Sequence, residues 1–458
     1  MTGSDFLRLD PRDAPSRGRT TWLTAQIRAA VADTTLSAGA RVPPSRELAE
    51  ELSFSRGVVV EAYRRLTEEG LLVTNRGAGT RITQVVPPAA QPLRLPEPRE
   101  AVESLHISEG APDLSAFPRA AWLQAERRVL ATATARELGY ADPQGVPALR
   151  EALAGWLARR RGIHASPERI IVTAGVTGAL SLIAQTMRER GLTACGVEDP
   201  SADGNRRILD YWLDELRPIS VDSEGIDVAA LEASGAQTVL TTPAHQFPTG
   251  VVLSPARRRE LIAWADRTDG VIIEDDYDSE YRYDRAPVPA LQASAPERIL
   301  HISSLSKVLA PALRIGWMIA PVSWSDDLIR RRWATDLGSP ALPQLILAEL
   351  IGSGVLERQV RRLRLRHRQR RDAAVAAIRD HLPGCHVEGI AAGLHIQVML
   401  PEGADDADVA RRAASEGIAV KPLSDYRFSP GAPGLVIGYG PHTSARLTAA
   451  IATLGRIL

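Results

Sequence analysis

The chain has 458 residues, enough for about three domains at ~150 residues each, and its 44% hydrophobic and 24% charged content is that of a folded protein, which excludes a mostly disordered chain. Fifty-five basic residues balance 55 acidic ones, which excludes a wholly basic nucleic-acid coat protein but allows a local binding surface. There is no apolar run of the ~18 residues a membrane span needs and no apolar core of a signal peptide near the start, and Cys195 and Cys385 lie too far apart for a disulfide framework or a metal cluster, so a cytoplasmic multidomain protein without a metal is expected.

Residues 1–83 read as three helices and a hairpin. Leu23, Ile27, Ala30 and Val31 repeat at helical spacing. Ser45 is placed to cap a short helix with Leu48, Ala49 and Leu52 inward, and Ser55 to cap the next, whose apolar stripe is Val58, Val59, Ala62, Tyr63 and Leu66. Gly70 ends that helix, and LLVTNRGAGTRIT alternates around a glycine-rich tip. Residues 84–104 hold five prolines and read as a semi-extended linker.

Residues 105–458 alternate strands and helices. IIVTAG (170–175), TVLTTPAH (238–245), GVIIEDDY (270–277) and RILHISSLSK (298–307) are buried-strand candidates of a mostly parallel α/β sheet, with a large part at about 130–340. A smaller α+β subdomain is expected over about 341–458, with strands HVEG, LHIQVML, IAVKPL and LVIGYG. The arginine-rich stretch 358–371 reads as a charged helix with a packed or solvated face, and Lys421 as a surface lysine.

Helix, turn, helix and hairpin describe a winged helix-turn-helix, whose second helix enters the major groove of double-stranded DNA. Arg46, Ser55, Arg56 and Arg64 lie at or beside the groove-facing side, and Arg76 and Arg81 flank the glycine tip. A helical module that docks on protein has the same outline. The segment VPPSRELAEELSFSRGVVVEAYRRLTEEGLL followed by NRGAGTRI resembles the GntR family of DNA-binding regulators. The resemblance implies contact positions at Arg46, Ser55, Arg56 and Gly79, and an operator with paired half-sites. Val58 stands where the family often has threonine, which implies a different base preference.

In the body, polar clusters follow the apolar runs, where ligands sit in such sheets. Only two lysines occur, Lys307 and Lys421; the other 53 basic residues are arginines, which supply no nucleophilic amine. Lys307 follows Ser303, Ser304 and Ser306, and is placed to form a Schiff base while the serines and Arg314 hold a phosphate. A polar surface loop contains the same residues. Asp275, after a buried run, suits a pyridinium nitrogen, and Tyr277 a ring hydroxyl; a solvated acidic turn is the alternative. The strand-to-helix turn at Val176 and Thr177 suits phosphate, and His245 or Gln246 can face a ring. Together the four clusters converge on one pyridoxal 5'-phosphate (PLP) pocket.

The stretches YADPQGVPALREALAGWLARRRG, TPAHQFPTG, EDDYDSEYRY and SSLSKVLAPALRIGW resemble fold-type I aminotransferases, and specifically the aminotransferase-like half of MocR regulators. The resemblance implies Lys307 as the Schiff-base lysine, Asp275 and Tyr277 as ring partners, and Ser304, Arg314 and the backbone at Val176–Thr177 as the phosphate cup. It implies Tyr140 reaching the partner subunit's phosphate, hence a head-to-tail homodimer. Phe247 stands where aminotransferases have asparagine before PTG, so the ring-hydroxyl contact is expected to move to His245 or Gln246. Ala202 stands near the usual ring-stacking aromatic, and GLVIGYG lacks the arginine that takes a substrate carboxylate, with Arg427 nearby. The expectation is a PLP-binding transcriptional regulator rather than an enzyme, sensing PLP itself as in the PdxR subgroup that controls vitamin B6 biosynthesis genes, or an amine or amino acid. The rival is an active aminotransferase with an appended helix-turn-helix.

Overall fold

Apolar residues three and four apart bring the first helices together. Helix α1 (Arg19–Ala32) buries Leu23, Ile27, Ala30 and Val31, and α3 (Arg56–Glu68) buries Val59, Ala62, Tyr63 and Leu66, with α2 (Ser45–Glu51) adding Leu48 and Ala49. The Tyr63 hydroxyl donates to Pro43 O at 2.9 Å, which ties the recognition-type helix α3 to the approach of α2. Strands β1 (Leu72–Asn75) and β2 (Gly79–Ile82) pair antiparallel, Leu72 opposite Ile82. Ser45 is the first helical residue behind Pro44, and neither it nor Ser55 makes a side-chain cap bond, so both hydroxyls differ from the capping role expected of them. The computed structural model describes residues 9–33, 35–75, 79–83, 105–107, 110–284 and 288–458. The chain divides into two units, residues 1–100 and 101–458; the proline-rich linker 84–104 and Arg76 lie outside the described residues.

In the second unit, β3 (Leu105–His106) pairs parallel with β14 (Ile418–Ala419), and helices α4 (Arg119–Thr132) and α5 (Pro147–Arg161) precede the main sheet in the chain. The main sheet has eight strands: β4 (Ile170–Thr173), β5 (Ala194–Asp199), β6 (Glu215–Asp222), β7 (Gly225–Ile226), β8 (Thr238–Thr241), β9 (Val271–Asp275), β10 (Ile299–Ser304) and β11 (Gly316–Ile319). Their order is β4-β11-β10-β9-β8-β5-β6-β7, with β11 antiparallel to both neighbours and β7 antiparallel to β6. Strands β4, β8 and β9 are buried at every position because helices cover both faces, and so they read as unbroken apolar runs. Ile171, Ile273, Ile302 and Met318 face α6 (Gly175–Glu189) and α7 (Asp203–Trp212) on one side. Alternate residues such as Val239, Ile272 and Ile299 meet Leu261 and Trp264 on the other.

The small sheet has the order β12 (His386–Glu388), β13 (His395–Met399), β16 (Gly434–Gly438) and β15 (Lys421–Pro422), all antiparallel. The arginine-rich stretch lies within a 27-residue helix, Val355–His381, that buries Leu356, Val360, Leu363 and Ala374, with Arg366 and Arg370 paired to Asp113.

Candidate functional site

At the carboxyl ends of the central strands lies a cavity of about 270 Å³. Eight of the residues singled out from the sequence line it together: Val176, Thr177, Asp275, Tyr277, Ser304, Ser306, Lys307 and Arg314. One end is built for an anion. Helix α6 begins there, so Val176 and Thr177 present first-turn N–H groups at the positive end of its dipole. Gly175 has φ +77°, and a Cβ at Gly316 would lie 2.8 Å from Gly175 Cα, so two glycines let β11 and the helix start touch. Arg314, itself left-handed at φ +50°, donates from Nη2 to Ala174 O at 2.7 Å, which aims its guanidinium beside that helix end.

The other end is built for a protonated ring nitrogen. Asp275 closes β9, fully buried, and Asn205 Nδ2 donates to its Oδ2 at 2.8 Å. Its Oδ1 is buried with no hydrogen-bond partner among the described residues. Burial, with the nearby Asp276 and Asp278 charges, pushes the Asp275 carboxyl up to about 7, against the bond from Asn205, which lowers it. An unpartnered carboxylate oxygen in such a place is costly unless a cationic N–H arrives to bind it. Lys307 stands three residues past β10, its carbonyl held by the Tyr281 hydroxyl at 2.9 Å. A primary amine, an anion cup and an orphaned acid at the opposite end are the donor set that PLP requires.

His245 and Gln246 correct the expectation from sequence, because they do not line this cavity. Both are buried behind it: His245 Nδ1 lies 2.9 Å from Asp278 Oδ2, and Gln246 Nε2 donates to Glu198 Oε2 at 3.2 Å and to Pro200 O at 2.8 Å. The TPAHQFPTG loop instead offers Thr242 and Phe247 to the cavity, which Tyr277 also lines. Ala202 does line the wall, so no aromatic occupies that place. Tyr140 is 94% exposed and lies away from the cavity of its own chain. Arg427 lies against Gly431 in a separate loop. Sequence reasoning missed Asn205, which stands three residues after Ala202 and meets Asp275 only through the fold, and also Gly110 and Tyr426 on the rim.

In the first unit, Arg56 opens α3 and is exposed, as are Ser55 and Arg46, which is loosely paired with Glu50 at 3.3 Å. Arg64 lies two turns further along and is held by Glu61 and Glu68 together, so its charge is already answered within the helix. Gly79 has φ +82°, and the Arg41 guanidinium occupies the space its Cβ would take, 2.9 Å away. Arg41, unforeseen from sequence, thereby joins the wing beside Arg81, with which it makes a bridge.

Residues 21–82 match the bacterial regulatory proteins of the gntR family, and residues 103–454 match the class I and II aminotransferases. The whole chain is similar to the HTH-type pyridoxine biosynthesis transcriptional regulator PdxR of Corynebacterium glutamicum, 38% identical over 92% of each chain. It is similar also to the probable rhizopine catabolism regulatory protein MocR of Rhizobium meliloti, 29% identical over 91% of this chain and 89% of that one. Among solved structures, the kynurenine aminotransferase of Pyrococcus horikoshii, in complex with PMP, superposes with a TM-score of 0.72 at 26% identity, covering 78% of this chain and 91% of that one.

Proposed function

Because the chain belongs to the MocR-type regulators, a gntR-family winged helix joined to a class I and II aminotransferase domain, we propose that its signal is PLP itself and that it controls genes of vitamin B6 biosynthesis. The chain is a transcriptional regulator whose head binds DNA and whose body binds PLP. When bound, PLP supplies an aldehyde for a primary amine and an electron-withdrawing ring. Lys307 supplies that amine, Arg314 with the start of α6 binds the phosphate, and Asp275 Oδ1 accepts the ring N–H. Tyr277, Thr242 and Phe247, which line the same cavity, would help to hold the ring and keep water from it.

One observation carries the choice of PLP over an amino acid as the signal. Among the described residues lining the cavity Arg314 is the only arginine, and it stands at the phosphate end. Among these described residues the carboxylate of an incoming amino acid meets no second guanidinium. The relative named for pyridoxine biosynthesis supports the same reading. The protein works in the cytoplasm as a homodimer, Tyr140 of each copy reaching the other's phosphate site, and PLP changes how the paired heads fit two half-sites. Titrating the protein onto the DNA upstream of its own gene at fixed salt, with and without PLP, tests this. A PLP-dependent change in affinity is expected; affinity that ignores PLP but responds to amino acids overturns it.

A further inference from the structure

Behind the cavity wall, His245 Nδ1 has two neighbours, Asp278 Oδ2 at 2.9 Å and the Tyr277 hydroxyl at 3.0 Å. We propose that His245 and Asp278 form a positioning pair for Tyr277, fixing the imidazole as its Nδ1–H tautomer and so leaving the tyrosine's single proton to be donated into the cofactor cavity. The inference rests on PLP occupying that cavity, but its first test does not.

One ring nitrogen carries at most one proton, and a carboxylate only accepts. Asp278 lines a small space together with Arg161 and Arg282, and Arg282 Nη1 is buried without a partner among the described residues. Nδ1 must then carry the proton and give it to Asp278, with the tyrosine oxygen as a second acceptor on the same N–H. The Tyr277 proton has no place on Nδ1 and turns to the cavity that the ring lines. The reverse arrangement, tyrosine donating to a bare Nδ1, sets a lone pair against a carboxylate at 2.9 Å.

The other groups around the pair agree. Burial, the charges of Asp278 and Asp275 and the side-chain contact with Asp278 raise Tyr277 well above the ordinary phenol range, so it keeps its proton. His395, on β13 with its ring centroid 5.2 Å from that of His245, is driven down to about 3 by burial and by His245, and adds no charge. Gly393 seals the site: a Cβ there would fall 2.3 Å from His245 Cε1 and 2.5 Å from Asp278 Oδ2, so only glycine lets this loop close over the pair. His245, Asp278 and His395 have ligand-like spacing, but a metal on His245 Nδ1 would displace both bonds that this atom already makes.

The test begins with the full-length apoprotein, its histidines labelled with 15N and the His245 signal assigned by its loss in His245→Gln. Side-chain shifts of the Nδ1–H tautomer are expected; the Nε2–H tautomer overturns the proposal without any reference to PLP. With PLP bound, Asp278→Asn is expected to weaken PLP about tenfold and to raise the pH midpoint of the cofactor's visible absorbance by about one unit, as loss of one hydrogen bond to a charged acceptor would. In a Tyr277→Phe background the same substitution is expected to leave that midpoint unchanged. An undiminished shift there means that Asp278 acts without the tyrosine, and overturns the proposal. Absence of any PLP absorbance in the unaltered protein would instead overturn the cofactor reading, leaving the tautomer result standing.

Discussion

Asn205 and Asp275, 70 positions apart, meet so that one carboxylate oxygen is satisfied while the other has no partner among the described residues. That division makes the acid sensitive to its ligand. In the apoprotein its carboxyl is raised from 3.8 to about 7, so the neutral form is favoured by folding. Stability from this group is complete below about pH 4 and is lost as the pH rises to about 7. A cationic ring nitrogen reverses the preference. The gain in Tm on adding PLP is therefore expected to grow between pH 5.5 and 7.5, and to lose that growth in Asp275→Asn, as differential scanning fluorimetry would record. A pH-independent gain in the unaltered protein contradicts this.

Lys307→Ala removes the only lysine on the cavity wall. Borohydride reduction should then fix no cofactor to the chain, while circular dichroism and the melting transition of the apoprotein stay close to those of the parent. Retained covalent PLP would move the attachment elsewhere.

Arg314 can be separated from the ring contacts by choosing the ligand. Arg314→Lys loses the planar fork beside the start of α6 and should weaken PLP about tenfold or more. Pyridoxal, which lacks the phosphate, should bind the variant and the parent equally. Equal losses for both ligands would mean that the residue shapes the fold of the cup rather than holding the anion.

Gly316→Ala tests the contact that brings β11 against the helix start. The added carbon would lie 2.8 Å from both Gly175 Cα and Ser303 O. Backbone must shift, at about 1–3 kcal/mol of stability, with PLP affinity falling as the cup opens; denaturant unfolding and a PLP titration read the two effects.

Much of this site was legible because its chemistry is concentrated. A scarce lysine, an arginine seven positions after it and an acid at the end of a buried strand carry their roles in their identities, and all three share the cavity. What escaped is what depends on the side from which a chain approaches. His245 and Gln246 are next to Phe247 in sequence, yet the loop turns Phe247 toward the cavity and the other two toward Asp278 and Glu198. Asn205 gives no local sign of Asp275. Strand β11 was hidden inside RIGWMIA, too short to stand out from its turn. In the head the helices were plain from their apolar spacing, but ion pairs are not: the Glu61 and Glu68 that occupy Arg64 are only two acids among many until the helix brings them to it.

Those pairs set the order of effects expected on DNA binding. Arg56→Ala and Arg46→Ala should each lower the slope of log affinity against log salt by about one, whereas Arg64→Ala should change it less, since its charge is shared with two glutamates. Fluorescence anisotropy over a salt series compares the three; an equal effect at Arg64 would show that DNA displaces both acids.

The pairing of Leu105–His106 with Ile418–Ala419 has a mechanical meaning. It fixes the first described residues of the second unit to the small subdomain, and Gly110, three positions past Ile107, lines the cavity. Ile107 N–H donates to Ala419 O at 2.9 Å and its carbonyl accepts from Gly438 N–H at 2.7 Å, so the small subdomain grips the chain just ahead of the cavity wall.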